Sequence, residues 1–232
     1  MGTKAIVDAD SMIYAASLKC DNIEDAYEYF LSILNTNIDT LSEFCELDEV
    51  IICNGSINNF RKDLNTEYKL NRTGEPPKLL FELHDMVKQL ENSYWADGYE
   101  TDDVVATLWS ENPNYIIVAS DKDYKQLPCL FFDSYYKRMY LTDISFYESN
   151  YNFFEQMIIG DSADNVNYCK GYGKSWVKKN FVGIETRFGF MKKVLYIYKE
   201  IHGELAKDKF RECYNLLRLR TDVEEINIGK LD

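Results

Sequence analysis

Two hydrophobic rhythms alternate along the first two thirds of the chain. Short, nearly continuous apolar runs at Lys4–Asp8, Glu49–Asn54, Tyr115–Ser120 and Leu130–Asp133 read as buried strands. Between them, apolar residues recur at three- and four-residue intervals. From Asn22 to about Leu47 these are Ala26, Tyr29, Phe30, Ile33, Leu34, Ile38 and Leu41, and the same spacing marks Lys78–Leu90 and Thr101–Ser110 as helices. Alternating strands and helices of this length predict an α/β fold with a right-handed, mostly parallel twisted sheet flanked by helices. Beyond about Tyr147 the strand pattern stops until the tail and the chain reads as helical. The expected division is a core over 1–147 and a helical lobe over 148–232. The segment 61–77 is polar, basic and ends in Gly and Pro, which predicts a mobile or ligand-ordered loop.

Composition narrows the class. At 232 residues, 46% apolar and 15% aromatic, the chain can bury a sizeable core. Its six cysteines are scattered with no CxxC pair, so neither a zinc site nor a disulfide framework is expected, and reduced thiols are. The apolar run Ala5–Val7 is broken at once by Asp8, unlike a signal peptide, and no stretch approaches the ~20 apolar residues of a membrane helix. A soluble, cytoplasmic protein is the expectation. Net charge is −13, which by itself argues against nucleic acid. The basic residues are nevertheless clustered: Arg61, Lys62, Lys69, Arg72 and Lys78 in one segment, then Lys170, Lys174, Lys178 and Lys179 in another.

Much of the acidity is clustered too. Asp8-Ala-Asp10, Glu100-Thr-Asp102-Asp103, Asp121-Lys-Asp123 and Asp161-Ser-Ala-Asp164 together hold nine carboxylates. Asp8 and Asp121 stand where an apolar run ends, and a parallel sheet delivers such residues to one edge. Carboxylates sharing an edge repel one another and invite hard divalent cations such as Mg²⁺ or Mn²⁺. Simpler roles compete at each cluster: Asp10 suits a helix cap, acids at 100–103 suit the first turn of a helix, and Asp121-Lys-Asp123 suits a solvated turn. Lys170-Gly-Tyr-Gly-Lys-Ser175 is a turn followed by a lysine-bearing helical pattern, able to hold a phosphodiester. Tyr68-Lys69-Leu-Asn-Arg72 sets two cations three residues apart beside an aromatic ring. No role is assigned to His84 or His202.

Taken in order, the segments IVDADSMIYAA, NNFRKDLNTEYKLNR, YETDDVVATL, IIVASDKDYKQL and GDSADNVNYCKGYGKSWVKK resemble the structure-specific 5′ nucleases, specifically phage 5′→3′ exonucleases and flap endonucleases. The resemblance runs from residue 5 to about 179. It implies a PIN-like α/β core, an arch over the active site at roughly 61–77, and a helix–three-turn–helix DNA clamp. The metal ligands it implies are Asp8, Glu100, Asp102, Asp103, Asp121, Asp123, Asp161 and Asp164, holding two Mg²⁺ or Mn²⁺ ions. Arg61, Lys69 and Arg72 would face the scissile phosphate. Gly171, Gly173, Lys174, Ser175 and Lys178 would grip DNA, with hairpin carbonyls as a K⁺ site.

The implied activity is hydrolysis at 5′ ends, nicks or flaps of duplex DNA or RNA–DNA hybrids during phage replication, by a monomer. Two departures stand out. Asn54 replaces an expected aspartate after the second strand, and Asn167-Tyr-Cys-Lys170 replaces a Pro/Gly-rich turn. Three other readings compete: a haloacid-dehalogenase-type phosphatase, a PIN-type ribonuclease, and a degenerate nuclease kept as a DNA-binding module.

Overall fold

The computed structural model describes residues 3–56, 58–135 and 138–229. β1 (Thr3–Asp8) is followed by α1 (Asp10–Lys19), α2 (Ile23–Ser42), β2 (Leu47–Asn54) and the short α3 (Phe60–Leu64). Next come α4 (Leu80–Lys88), β3 (Ser93–Trp95), α5 (Thr101–Glu111), β4 (Ile116–Ala119), β5 (Leu130–Asp133) and β6 (Leu141–Asp143). The chain then runs through α6 (Phe146–Ile159), α7 (Lys174–Asn180), α8 (Arg187–His202) and α9 (Ala206–Leu217), and returns as β7 (Asn227–Ile228). Strand order across the sheet is β6-β5-β4-β1-β2-β3-β7. The five inner strands are parallel, while β6 and β7 close the two edges antiparallel.

Alternation along the strands builds two cores. Ile6, Ile51, Cys53, Ile117, Ala119 and Phe131 face α5. Ala5, Val7, Ile52, Ile116, Val118 and Phe132 face α1, α2 and α4. Burial on both faces explains why these runs read as continuously apolar. Burying each large side chain contributes ~1.5–3 kcal/mol. A third core lies among α6–α9, where Phe153, Phe154, Phe181, Phe190 and Tyr198 are fully or almost fully buried. α6 joins this helical lobe to the sheet: Asn152 donates to the Lys125 carbonyl at 3.0 Å and Gln156 reaches Asp123 at 3.1 Å.

The expected strands and helices are present, and the sheet is mixed at its margins. β3, β6 and β7 span three, three and two residues, too short to carry a period-2 pattern. The expectation that 61–77, as a mobile or ligand-ordered loop, stays out of the core is corrected at Arg61 and Tyr68. That segment opens inside α3, and Arg61 and Tyr68 are buried within it, because both side chains find partners in distant elements.

Where β2 ends, Gly55 lies against the start of α5. A Cβ there would stand 2.4 Å from the Thr101 nitrogen and 2.6 Å from its Oγ1. Gly55→Ala should therefore push α5 off the sheet and cost ~1–3 kcal/mol, read as a lower urea midpoint; an unchanged midpoint would show that this approach has slack.

Candidate active site

The chain builds outward from β1 to β2 and β3, then returns to place β4 on the other side of β1. Strand order thus reverses between β1 and β4, and the carboxyl ends of those strands open the crevice where α/β proteins bind ligands. Asp8 is the last residue of β1, and Asp121 lies two residues beyond β4. Asp8 Oδ1 accepts the Asp10 N–H at 3.0 Å, and Oδ2 accepts the hydroxyl of buried Tyr124 at 2.8 Å. Burial, then the charges of Asp10 and Asp121, pushes the Asp8 carboxyl up to about 8. Asp121 is exposed and caps the short 3-10 helix Lys122–Gln126 by accepting the Asp123 N–H at 2.9 Å. Burial and the charges of Asp121 and Asp161 push Asp123 up to about 7.

Asp161 arrives from the other side, just after α6. Gln156 donates to both Asp123 Oδ1 and Asp161 Oδ2 at 3.1 Å, bridging the sheet edge to the helical lobe. Burial alone would raise the Asp161 carboxyl. Lys122 at 3.2 Å and hydrogen bonds from Gln156 and the Ala163 N–H instead hold it below the usual range.

A second group of acids forms at the start of α5. Glu100 is the N-cap, and the Asp103 side chain returns to the Glu100 N–H in a capping box. Arg61, 1% exposed, is held there by five bonds. Its Nη1 donates to Glu100 Oε2 (3.1 Å) and Asp103 Oδ2 (2.6 Å), and Nη2 to Asp103 Oδ1 (2.8 Å) and the Arg218 carbonyl (3.0 Å). The fifth runs from Nε to the Leu216 carbonyl at 2.9 Å. Around Glu100 gather Lys69, paired with Oε1, and the Tyr68 hydroxyl, which is 2.9 Å from both Glu100 Oε2 and Asp164 Oδ2. Arg72 reaches Asp164 Oδ1 at 3.0 Å. Burial favours the neutral acid at Glu100, but Lys69 and Arg61 hold its carboxyl below the usual range. At Asp102 the same two cations are outweighed: burial and then the charge of Asp103 drive its carboxyl well up.

The eight predicted acids therefore fall into two groups on one edge. Asp8, Asp121, Asp123 and Asp161 form one, and Glu100, Asp102, Asp103 and Asp164 the other. Two expectations change. Arg61 does not face an open cleft; its fork is consumed by a structural tie. Asp103, wholly buried, has both oxygens engaged by Arg61 and also accepts the Arg220 N–H at 2.8 Å, so it anchors rather than presents a lone pair. Lys69 and Arg72 do lie at the acidic edge.

Asn54, fully buried, donates to Ser93 Oγ at 3.0 Å, while its carbonyl oxygen has no hydrogen-bond partner. Gly171, in the left-handed region at φ 92°, and Gly173 flank the turn before α7, on which Lys174, Ser175 and Lys178 are exposed. Tyr124 and Gln156 were not foreseen. Tyr124 directly follows Asp123, a proximity that could have drawn attention to its hydroxyl. Gln156 carries no signal beyond a helical face.

The donor set suits a hard divalent cation. Every candidate ligand is an oxygen, Asp10 Oδ1 and Asp102 Oδ1 are buried without a hydrogen-bond partner, and burial pushes up the Asp8, Asp102 and Asp123 carboxyls. Among the described residues no three acidic, His or Cys side chains stand ready to ligate an ion. Arg61, Lys69 and Lys122 already pair with several of the acids.

The chain belongs to the family described as 5′-3′ exonuclease, N-terminal resolvase-like domain, whose model matches residues 3–148. It is 26% identical over 201 residues to the flap endonuclease Xni of Aeromonas salmonicida, covering 75% of this chain and 72% of that protein. It is 27% identical over 173 residues to DNA polymerase I of Bacillus caldotenax, covering 66% of this chain and 19% of the polymerase. The chain thus spans about a fifth of the length of that relative. In fold it is similar to the bacteriophage T5 flap endonuclease solved with DNA and metal ions (TM-score 0.59, 13% identity, 93% of this chain and 99% of that one). It is also similar to the Rad2 catalytic core solved with DNA substrate (TM-score 0.54, 14% identity, 100% and 84%). No described helix is long and apolar enough to cross a membrane.

Two predictions follow from the charges. Folding takes up protons at Asp8 and Asp123, so the stability they contribute is complete below their unfolded range near 3.8 and is lost as pH rises through about 7 to 8. His84, lowered by burial, acts in the opposite sense, but as one group. Glu100 and Asp161, held low, already contribute fully at pH 5.5. Thermal scans in EDTA should show a lower Tm at pH 8 than at pH 5.5, with the reverse order contradicting the assignment. Arg61→Met strands Asp103 as an uncompensated buried charge and should cost ~3–5 kcal/mol in urea unfolding.

Proposed function

We propose that the protein is a divalent-metal-dependent 5′→3′ exonuclease or flap endonuclease. Its substrate would be the 5′ end, nick or flap of duplex DNA or of an RNA–DNA hybrid. The observation that carries this reading is the meeting of Asp8, Asp121 and Asp123 from the sheet with Asp161 from the helical lobe, next to a second acidic group whose Glu100 and Asp164 hold Lys69 and Arg72. Membership of the 5′-3′ exonuclease family supports it.

Two Mg²⁺ or Mn²⁺ ions, held by Asp8, Asp121, Asp123 and Asp161 and by Glu100, Asp102 and Asp164, would supply a water nucleophile at neutral pH and stabilise the leaving oxygen. Water attacks phosphorus, the P–O3′ bond breaks, and the products are a 5′-phosphate and a 3′-hydroxyl. Tyr124 and Gln156 orient Asp8, Asp123 and Asp161 through the hydrogen bonds described above. Lys69 and Arg72 would offset charge developing on the phosphate, a role that often contributes most to such catalysis. Arg61 and Asp103 act one step back, fixing Glu100.

In this reading 1–147 forms the catalytic core and 148–232 the DNA-gripping lobe. The Gly171–Gly173 turn with Lys174, Ser175 and Lys178 would hold duplex phosphates without reading sequence. The carbonyls of this hairpin are suited to K⁺. A monomer removing primers or flaps, or degrading DNA from 5′ ends, in the cytoplasm of a phage-infected cell is the biological setting that fits.

Cleavage of 5′-labelled duplex, nicked and flap DNA tests the assignment. Short products from the 5′ end should form with Mg²⁺ or Mn²⁺ and vanish with EDTA. Asp121→Ala with Asp123→Ala should reduce cleavage at least ~10³-fold while duplex binding persists. Full activity in that double variant would remove the metal assignment. Salt-sensitive binding without cleavage by the unaltered protein would instead identify a DNA-binding module.

A further inference from the structure

The acids around Glu100 are not open to solvent cations. All four oxygens of Glu100 and Asp164 are taken by the chain's own donors. Glu100 Oε1 pairs with Lys69, and Oε2 accepts from Arg61. Asp164 Oδ2 accepts from Tyr68, and Oδ1 faces Arg72 at 3.0 Å and Lys69 at 3.7 Å. Lys69 touches both carboxylates, and its side chain is 19% exposed against 57% for Arg72. Its ammonium stands between two acids that come from different parts of the chain.

The backbone fixes this arrangement. Lys69 adopts a left-handed conformation at φ 57°, which costs a non-glycine residue ~1 kcal/mol or more. Its N–H donates to the Asp164 carbonyl at 3.0 Å. On either side, Asn71 Nδ2 donates to the Ser162 carbonyl at 2.6 Å and Asn165 Nδ2 to the Glu67 carbonyl at 2.9 Å. Residues 65–72 are thus docked onto the 161–165 turn, with Lys69 at the point of contact.

We propose that Lys69 is a built-in competitor for the divalent cation at Glu100 and Asp164, and that segment 65–72 undocks when that cation binds. The inference rests on the reading above that these two carboxylates hold a metal ion. A cation ligated by carboxylate oxygens at ~2.0–2.6 Å occupies the space that the ammonium fills. Two positive charges at that distance in a partly dry site repel strongly. Lys69 therefore lowers the affinity of this ion in the absence of substrate. A phosphate that draws Lys69 away raises that affinity, so metal and DNA reinforce one another's binding.

The test measures Mn²⁺ binding by calorimetry, without DNA, on the full chain and on Lys69→Met, Lys69→Arg and Arg72→Gln. Amide exchange across 65–72 is followed in parallel. Lys69→Met should tighten the weaker Mn²⁺ site about tenfold, whereas Lys69→Arg stays near the parent and Arg72→Gln shifts it less than about threefold. In the unaltered protein, Mn²⁺ should speed exchange at Lys69 and its neighbours. Unchanged or weaker Mn²⁺ binding in Lys69→Met, or slower exchange on adding Mn²⁺, overturns the competitor role. Glu100→Gln separates the two levels of the argument. If it removes one bound Mn²⁺ while Lys69→Met has no effect, only the competitor role fails. If the number of bound ions does not change, the carboxylate assignment fails with it.

Discussion

The guanidinium of Arg61 is the tie on which the acidic edge depends. Its five N–H donors meet five acceptors on the first turn of α5 and on the chain leaving α9. Such a group is costly to bury and stays buried only when fully paired. Satisfying it fixes three things together: the position of α3, the direction in which Glu100 points, and the path of residues 216–220. Thr107 and Gln126 continue the same stitching, with Gln126 donating to the Leu217 carbonyl at 3.0 Å and accepting the Leu219 N–H at 3.0 Å. The last helix is therefore fastened to the sheet by polar groups as well as by apolar contact.

The rest of the edge is organised by repulsion. Asp8, Asp121, Asp123 and Asp161 gather at one place, where among the described residues Lys122 pairs with Asp161 and Tyr124 and Gln156 serve as neutral donors. Glu100, Asp102, Asp103 and Asp164 are balanced by Arg61, Lys69 and Arg72. One group is short of positive charge and the other is supplied from within. That asymmetry distinguishes two sites that look alike as sequence.

The strands that carry the site were legible because burial on both faces makes them apolar throughout. Asp8 and Asp121 were legible because each ends such a run. The edge strands were not, being two or three residues long and defined by pairing alone. The burial of Arg61 and Tyr68 within the polar 61–77 segment was not legible because their partners lie far off: Tyr68 finds Asp164 across 96 positions. The sequence showed that Glu100, Asp102 and Asp103 are acidic. It could not show that Asp103 faces Arg61 while Asp102 keeps an oxygen unpaired, since adjacent residues on one helix turn point in different directions.

The Arg61 tie also carries a consequence for how the molecule is made. Its carbonyl acceptors lie 155 and 157 positions further along the chain. Contacts of that separation close late, because the loop entropy must be overcome before they form. On a ribosome, where domains assemble from the N-terminus onward, strands β1–β6 with Asp8, Asp121 and Asp123 emerge long before α9. The nascent chain thus carries its acids without the brace that aligns them, and the edge acquires its working shape only when the final helix locks onto α5.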